Sequence, residues 1–462
     1  MRLGRLGGAA SRYSQLLLTS LFFLPFAGGI QANAQTVWVG GTSTDWSTGA
    51  NWSLGSVPNS GVSVTLPSTA NSPLLTGLSS SGAVTQTGAA LSLNNQTLTV
   101  SGNYDLINGS ITGAGVLSVS GSFQQSAGSV GAGVNITASS IAIDGGVLTS
   151  TGTLFASTLS NAGVINASDG AVNATVTNTG SYNVGGIVSG TGNFSNNVGG
   201  TLAVSGAGNY YGLGDIGNLG TVTTAVGGTL AGGTYTQLGG TTTNAGSLLT
   251  TGAVTIGGGT LTTTGTLTAA SLSNSATVNA NGGAVNAAVT NSGAYNVGGA
   301  VSGNNTLAND VSGTLAIAGS GRYTGLTTVT NAGTVTVASG GVLDGAAYWQ
   351  TAGTTTNAGT LSMTSDLSVN GGSLSNTATL TAASGLVAAS GSLANSGTAL
   401  FSGSLTNAGG VSNTAGTLTV GTSLTNSGSI SLSGGLLGVT TTLSNTGTVT
   451  QTGGTLSAAT LS

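Results

Sequence analysis

Catalysis usually depends on charged or nucleophilic side chains, and this sequence contains few of them. Eight aspartates and four arginines are its only charged residues, and it has no lysine, glutamate, histidine or cysteine. Nucleophilic catalysis by Ser–His or Cys–His pairs is therefore excluded, as are the usual zinc sites. Glycine is abundant, but a phosphate-binding loop also requires the missing lysine. The enzymatic arrangement that this composition still permits is a cluster of acids assisted by arginine.

An internal 113-residue repeat tests whether the aspartates form such a cluster. Residues 145–213 reappear as residues 258–326 without a gap, but Asp169 corresponds to Gly282 in the second copy. Charges change between the copies while the framework persists, which is typical of solvated surface positions. The aspartates are spread along the chain, at Asp45, Asp105, Asp144, Asp169, Asp215, Asp310, Asp344 and Asp366.

Two places come nearest to a charged site. Asp310 and Arg322 are close in sequence, but an exposed ion pair contributes at most about 1 kcal/mol. Asp215 follows Gly212 in a pattern near that of calcium-binding β-rolls, and its counterpart Thr328 carries no charge. We therefore predict no enzymatic activity and no catalytic, cofactor-binding or metal-binding residues.

The N-terminus has the composition of a secretory signal peptide. Three arginines fall within the first twelve residues, an apolar run covers residues 16–30, and Ala32-Asn33-Ala34 forms a small-residue cleavage site. We predict a signal peptide over residues 1–34 and a secreted mature chain, with an uncleaved membrane anchor as the alternative. Cleavage leaves one arginine against eight aspartates, a net charge of −7. A nucleic-acid partner is excluded, because the mature chain has almost nothing to neutralise phosphates.

A shorter unit lies within the 113-residue repeat. It has the form (Thr/Ser)-Asn-x-(Gly/Ala)-x-apolar-x-apolar, and the spacing from Asn357 to Asn376 recurs between three further pairs of its asparagines. The long repeat therefore corresponds to six coils of about 19 residues. The spacing from Asn395 to Asn407 is shorter. The asparagines of this unit include Asn161, Asn178, Asn244, Asn274, Asn291, Asn331, Asn357, Asn376, Asn395, Asn407, Asn426 and Asn445.

Small polar and apolar side chains alternate within each unit, as in Gly333-Thr334-Val335-Thr336-Val337. This alternation predicts half-buried strands, and the Asn-x-Gly and Gly-Gly elements predict tight corners. A coil of this length holds about three short strands, which close one turn of a parallel β-helix with strands about 4.8 Å apart. We predict an all-β fold, a right-handed parallel β-helix (solenoid) over residues 68–462. A disordered low-complexity chain is the alternative, and the regular apolar positions argue against it.

The recurring asparagines allow two interpretations. Their side-chain amides form ladders along a corner, coil upon coil, or each asparagine only tolerates its turn conformation. The sequence favours neither.

Residues 35–67 differ from the coils and contain three of the four tryptophans, Trp38, Trp46 and Trp52. A solenoid exposes the apolar interior of its first coil, so we predict an N-terminal cap in which these rings cover that interior. An aromatic glycan-binding surface is the alternative.

The paired tyrosines Tyr182/Tyr295 and Tyr235/Tyr348, together with Trp349, present the same choice between packing and sugar stacking. Their repetition at equivalent coil positions favours packing.

The motif Trp38-x-Gly40, Asp45-Trp46, Asn51-Trp52 and Val57-Pro58 follows the signal peptide directly and precedes the Gly/Asn/Thr-rich coils. It resembles the start of an autotransporter passenger, and the resemblance covers essentially the whole mature chain. The motif is specific for autotransporter passengers as a class and does not indicate any particular protein among them. The resemblance implies a β-helical protein secreted to the outer-membrane surface of a Gram-negative bacterium through an outer-membrane translocator, with adhesion or surface display as the common activity.

One feature of that family is missing from the sequence. Its C-terminal translocator barrel needs many strands with aromatic girdles, and the last aromatic residue here is Phe401. We therefore expect an incomplete autotransporter chain. Two-partner secretion exoproteins are the related alternative, although their Asn-Pro-Asn-Gly-type motif does not occur.

Taken together, the residues and the resemblance predict an adhesin or surface stalk that supports adhesion, autoaggregation or biofilm formation. Its partners would be host or bacterial cell surfaces, glycans on them, or further copies of the chain. A soluble solenoid that binds ice or carbohydrate is the alternative. The pairs Thr221/Thr223 and Thr334/Thr336 suggest it, because they lie one long repeat apart and would occupy equivalent coil positions. An inert spacer is a third interpretation.

Overall fold

A computed structural model describes residues 34–462 as one continuous parallel β-solenoid. The chain winds through about 21 turns with coils of about 19 residues. Within the described residues, the single helical element is the 3-10 turn Gly49–Asn51, and no helix has the length and apolarity to cross a membrane. The predicted all-β fold with short parallel coils is thus confirmed. The predicted signal peptide, residues 1–34, lies outside the described residues except for Ala34.

A strand is short where a corner interrupts its hydrogen bonds to the neighbouring coils. It is long where the chain bends at a corner and these hydrogen bonds continue. The N-terminal third contains β1 Ala34–Val37, β2 Val62–Leu66, β3 Ser79–Ser81, β4 Val84–Gln86, β5 Ala90–Ser92, β6 Thr97–Val100, β7 Tyr104–Leu106, β8 Ser110–Thr112, β9 Gly115–Val119, β10 Ser122–Gln125, β11 Ser129–Val130, β12 Val134–Thr137, β13 Ser140–Ile143, β14 Val147–Ser150, β15 Thr153–Asn161 and β16 Val164–Ala167. The middle of the chain contains β17 Gly170–Asn178, β18 Ser181–Val184, β19 Ile187–Gly190, β20 Phe194–Asn196, β21 Thr201–Val204, β22 Asn209–Asn218, β23 Thr221–Thr224, β24 Thr229–Asn244, β25 Ser247–Thr250, β26 Ala253–Thr263, β27 Thr266–Asn274, β28 Thr277–Ala280, β29 Gly283–Asn291, β30 Ala294–Val297, β31 Ala300–Gly303, β32 Thr306–Asn309 and β33 Thr314–Ile317. The remainder contains β34 Arg322–Asn331, β35 Thr334–Val337, β36 Val342–Gln350, β37 Thr354–Asn357, β38 Thr360–Met363, β39 Asp366–Asn376, β40 Thr379–Ala382, β41 Ser384–Asn395, β42 Thr398–Phe401, β43 Leu405–Asn407, β44 Gly410–Asn413, β45 Thr417–Val420, β46 Leu424–Asn426, β47 Ser429–Leu432, β48 Leu436–Asn445, β49 Thr448–Gln451 and β50 Thr455–Leu461.

Each coil contributes one segment to each of three parallel sheets. Sheet 1 is the stack that contains β16 and β18, sheet 2 contains the first half of β17, and sheet 3 contains its second half. Every segment pairs with the segments one coil before and one coil after it. The position of a residue within its coil therefore decides which residues of the neighbouring coils it touches.

The core lies inside this triangular coil and follows from the alternation in the sequence. In β35 the two valines, Val335 and Val337, are fully buried while Thr334 and Thr336 face outward. Burying a large aliphatic side chain contributes about 1.5–3 kcal/mol. Since each coil packs on the next, the apolar interior forms one uninterrupted column.

The tryptophans of the N-terminal segment lie inside this column. Trp38, Trp46 and Trp52 are 0%, 0% and 2% exposed, and the Trp52 ring stands edge-on to the other two at centroid distances of 4.9 and 4.7 Å. They belong to the same apolar cluster as Val64 and Leu66 of β2. The alternative of an exposed glycan-binding surface at these rings is wrong, because no ring face is available to a ligand.

The register confirms that one copy of the long repeat makes six coils. Asn161 and its counterpart Asn274 occupy the same position of sheet 3, with five intervening coils between them. That column runs through Asn161, Asn178, Asn196, Asn218, Gln237, Ile256 and Asn274.

Candidate functional site

The recurring asparagines lie in two columns, at two different corners of the coil, and all of them except the exposed Asn445 are buried. The first column ends the strands of sheet 3, and the second ends those of sheet 1. Asn395 belongs to the second and Asn407 to the first, which explains why these two lie closer in sequence than one coil length. The first column contains Asn161, Asn178, Asn196, Asn218, Asn274, Asn291, Asn309, Asn331, Asn407, Asn426 and Asn445, and the second contains Asn244, Asn357, Asn376, Asn395 and Asn413.

Within each column the side-chain amides form ladders. Asn357 Nδ2 donates to Asn376 Oδ1 at 2.7 Å, Asn376 Nδ2 to Asn395 Oδ1 at 2.7 Å, and Asn395 Nδ2 to Asn413 Oδ1 at 2.7 Å. None of these asparagines has a positive φ; in the described chain only Asn94 and Asn95 do among non-glycine residues. The ladder interpretation is therefore confirmed, and the interpretation that these residues only tolerate a turn is wrong.

The ladder amides also bond carbonyl groups at their own corners. Asn376 Nδ2 donates to the carbonyl of Ala378 in its own turn at 3.1 Å and to that of Thr398 in the next coil at 3.1 Å. The Asn376 side chain is fully buried, so its amide would be costly to leave unpaired. The asparagine columns are thus structural and offer nothing to a ligand.

Four asparagines of the ladders were not found from the sequence pattern: Asn196, Asn218, Asn309 and Asn413. Glycine precedes Asn218 and alanine precedes Asn309, so neither matches the Thr/Ser-Asn unit. A search for asparagine at the coil period, without a required neighbour, would have found them.

The repeated tyrosines are core residues. Tyr182, Tyr295, Tyr235 and Tyr348 are fully buried, which confirms packing and excludes sugar stacking at these four rings. Burial raises the pKa of each of them above 10, because the phenolate cannot be solvated inside the coil. Trp349 differs, since 44% of its residue surface is exposed.

The aspartates do not converge. Within residues 34–462, no three His, Cys, Asp or Glu side chains lie close enough to hold a metal ion together. Several aspartates serve local structure instead: Thr76 and Ser47 donate to Asp45, which lowers the pKa of that carboxyl, and Thr234 donates to Asp215 at 2.7 Å. Asp310 follows β32 at a corner, whereas Arg322 begins β34 on sheet 2.

The outward side of sheet 1 is the most distinctive surface of the described chain, and we call it the hydroxyl face. It consists of the first and third residues of seventeen stacked four-residue segments. Their side chains point out of the coil, while the second and fourth residues point inward. The segments are residues 147–150, 164–167, 181–184, 201–204, 221–224, 241–244, 260–263, 277–280, 294–297, 314–317, 334–337, 354–357, 373–376, 392–395, 410–413, 429–432 and 448–451.

Threonine and serine dominate the hydroxyl face, and no charged residue occurs on it. Alanine, asparagine, valine and one glycine fill its other positions. The charged side chains in these coils lie elsewhere: Asp215 and Asp366 on sheet 3, Asp344 and Arg322 on sheet 2, and Asp144, Asp169 and Asp310 at corners. The face is therefore neutral on a rod that is otherwise acidic.

The threonine pairs that the sequence singled out lie on this face in aligned rows. Thr221, Thr241 and Thr260 are neighbours in successive coils, and their partners at the third position form a second row beside them. Thr334 and Thr354 continue the same rows six coils later. Neighbours along a row are about 4.8 Å apart, and the rows are separated by about 6.7 Å.

No family model, no curated protein and no solved structure matches the chain.

Proposed function

We propose that the chain is a secreted, surface-exposed contact rod that acts as an adhesin or surface stalk and holds identical rods together. The observation that carries this proposal is the hydroxyl face, a neutral strip on an acidic solenoid. Rigid, repetitive presentation of many weak contacts gives binding by avidity, without any single deep site.

The dimensions of the face suit a contact between two rods. Seventeen strands at about 4.8 Å give a length of about 80 Å, and four residues across give a width of about 13 Å. The resulting area is about 1,000 Å², which exceeds the roughly 800 Å² per partner of a standard stable interface.

The charge distribution favours this face over the others. After the leader the chain carries one arginine against eight aspartates, so two rods repel each other wherever aspartates meet. The hydroxyl faces of two rods carry only neutral groups, so no charge repulsion arises where they meet. Contact there replaces hydration of neutral groups by hydrogen bonds and packing.

The test uses purified residues 35–462 and compares two triple variants by sedimentation velocity and by aggregation of protein-coated beads. The variant Thr221→Asp/Thr241→Asp/Thr260→Asp places three charges on the hydroxyl face and should abolish self-association. In wild type, association should strengthen with salt, because salt screens the remaining aspartates.

The matched control is Thr236→Asp/Thr255→Asp/Ser273→Asp. It adds the same charge in three successive coils of the same region, but on the outward side of sheet 3. It should reduce association only slightly. Equal effects of the two variants, or a wild-type chain that stays monomeric and binds neither coated beads nor cells, would sink the proposal.

A second candidate function rests on the regular threonine rows. A flat, neutral, periodic array of threonines also suits binding to an ordered lattice such as ice or a crystalline carbohydrate. It predicts thermal hysteresis or binding to insoluble polysaccharide by wild type. Substituting valine for Thr241 should lower either activity, and absence of both at high protein concentration removes this candidate.

The secreted location is part of the proposal and has its own test. The arginine-rich start, the apolar run and the site before Gln35 support export. Expression in a Gram-negative host, followed by N-terminal sequencing of the exported protein, should give a chain that begins at Gln35. A cytoplasmic product that retains Met1 would contradict it.

A further inference from the structure

We infer that Trp349, Leu386 and Asp366 on sheet 3 form a binding site for a neutral sugar ring of a glycan. Trp349 is the only exposed tryptophan in the described chain, at 44% of its residue surface, whereas the other three are at most 2% exposed. It does not belong to the hydroxyl face, so the inference is independent of the proposed function.

Register places the three side chains on one surface. Trp349 pairs with Ser368 in the next coil, and Ser368 pairs with Leu386 in the coil after that. Trp349 and Leu386 therefore stand about 9.6 Å apart, two strand spacings, with the small Ser368 between them. In the proposed site Trp349 and Leu386 form two apolar walls with the Ser368 hydroxyl between them, and one six-membered ring packs between these walls.

Asp366 supplies a carboxylate at the edge of this space. It lies two residues before Ser368 on the same strand, so both side chains face outward about 6.7 Å apart. Ser384 of the following coil donates a hydrogen bond to Asp366 Oδ1 and orients the carboxylate. A carboxylate only accepts hydrogen bonds, so it suits a ligand that carries hydroxyl donors.

The site is a local departure from an otherwise repeated surface. Trp349, Asp366 and Leu386 stand where the preceding copy has Thr236, Ala253 and Ser273. The register is the same in both copies. The residue before the tryptophan position is a fully buried tyrosine in both, Tyr235 and Tyr348. The outward surface changed in three successive coils while the scaffold did not.

The chemistry of the set selects the ligand. The face of an indole ring packs against the C–H groups of a pyranose, while serine and carboxylate bond its hydroxyls. The net negative charge of the chain disfavours sulfated, sialylated and uronic acid sugars. A neutral hexose within a surface polysaccharide fits all three features.

The experiment titrates residues 35–462 with neutral oligosaccharides of glucose, mannose, galactose and N-acetylglucosamine. Tryptophan fluorescence and calorimetry follow the binding. At least one oligosaccharide should shift the emission to the blue and protect Trp349 from acrylamide quenching, because the other described tryptophans are already buried. No saturable binding at millimolar sugar with any of the four would overturn the inference.

The preceding copy provides matched variants. Trp349→Thr restores the residue of the first copy at an outward position and should lower the affinity by about tenfold or more, measured by calorimetry. Asp366→Ala and Leu386→Ser should each lower it by a smaller factor. Circular dichroism and the thermal midpoint should stay as in wild type, so that a loss of binding is not a loss of folding.

The converse variant transplants the site. Thr236→Trp/Ala253→Asp/Ser273→Leu should double the number of sugars bound per chain. Undiminished affinity in Trp349→Thr, or tighter binding of a sialylated than of a neutral oligosaccharide, would refute the assignment.

Discussion

The asparagine ladders predict that one internal amide stabilises several coils at once. Asn376 contacts four hydrogen-bonding groups: its Nδ2 shares two hydrogens among Asn395 Oδ1, Ala378 O and Thr398 O, and its Oδ1 accepts from Asn357 Nδ2. Asn376→Ala leaves all four partner groups one hydrogen bond short inside the coil. At about 1 kcal/mol for each, with a small cavity in addition, the cost is about 3–5 kcal/mol.

The control for this variant is Asn445→Ala. Asn445 is the last asparagine of the first column within residues 34–462 and is exposed; its Oδ1 accepts from Asn426 Nδ2 at 2.6 Å, and its Nδ2 donates to Gly447 O at 3.2 Å. Water replaces the lost amide there, so the cost should be about 1 kcal/mol or less. Both variants delete the same atoms, but Asn376 lies inside the second column and Asn445 lies at an exposed position of the first.

A double-mutant cycle separates the ladder contact from the turn contacts. Asn376→Ala and Asn395→Ala should each be destabilising, but the double variant should cost less than their sum, with a coupling of about 1–2 kcal/mol. In the double variant both amides are gone, so neither one is left buried without its ladder partner. Apolar residues already occupy this column in places, as Val337 and Leu432 do.

Hydrogen exchange is the suitable assay, because stacked coils open locally and a single unfolding free energy is not defined for the array. Amides in residues 357–398 should exchange about a thousandfold faster in Asn376→Ala, which corresponds to about 4 kcal/mol. Exchange in residues 161–218 should not change. If Asn376→Ala accelerates exchange no more than Asn445→Ala does, the ladder does not stabilise the corners and the reasoning is wrong.

Three further predictions concern the corners, the core and the N-terminal segment. Gly372 has φ +72°, and a Cβ there would lie 2.1 Å from Gly353 O, so Gly372→Ala should lower the local opening free energy measured by hydrogen exchange by more than about 2 kcal/mol. Gly55→Ala, at φ +69° with open space, should lower it by about 1 kcal/mol. Burial raises the pKa of Tyr323 from 10.0 to about 12. The stability that the neutral Tyr323 contributes is therefore complete below pH 10 and is lost as the pH rises toward 12. The thermal midpoint should fall over that range, and it should fall less steeply in Tyr323→Phe. Trp52→Ala removes a fully packed ring and should cost about 3–5 kcal/mol, seen as faster exchange in β1 and β2 with no change beyond residue 300.

Much of the fold was predictable because it follows from local patterns. The alternation in residues 333–337 correctly placed Val335 and Val337 inside and the two threonines outside. The long internal repeat correctly indicated six coils. The packing of Tyr182 was predicted from its recurrence at equivalent coil positions, and the burial of the three tryptophans from the need to cover the open interior of the first coil.

The corner at which a residue lies was not predictable. Asn395 and Asn407 share one sequence pattern but belong to different ladders, because a coil has three sides and the alternation distinguishes only inside from outside. The tertiary structure also separated two adjacent aromatic residues, as Tyr348 is fully buried and Trp349 is 44% exposed. Adjacent residues of a strand point in opposite directions, so the sequence predicts that one of the two is buried and the other exposed. It does not predict that Trp349 lies on sheet 3.

The sequence by itself determined the average coil length, which side chains point into the coil and which point out of it, and the low number of charged residues. The tertiary structure alone decided which side chains become neighbours, because every lateral contact joins residues that are one coil apart and coil lengths vary. Asn196 and Asn218, for example, are 22 residues apart, and Asn161 and Asn178 only 17. The hydroxyl face, the asparagine ladders and the surface around Trp349 are all products of that stacking.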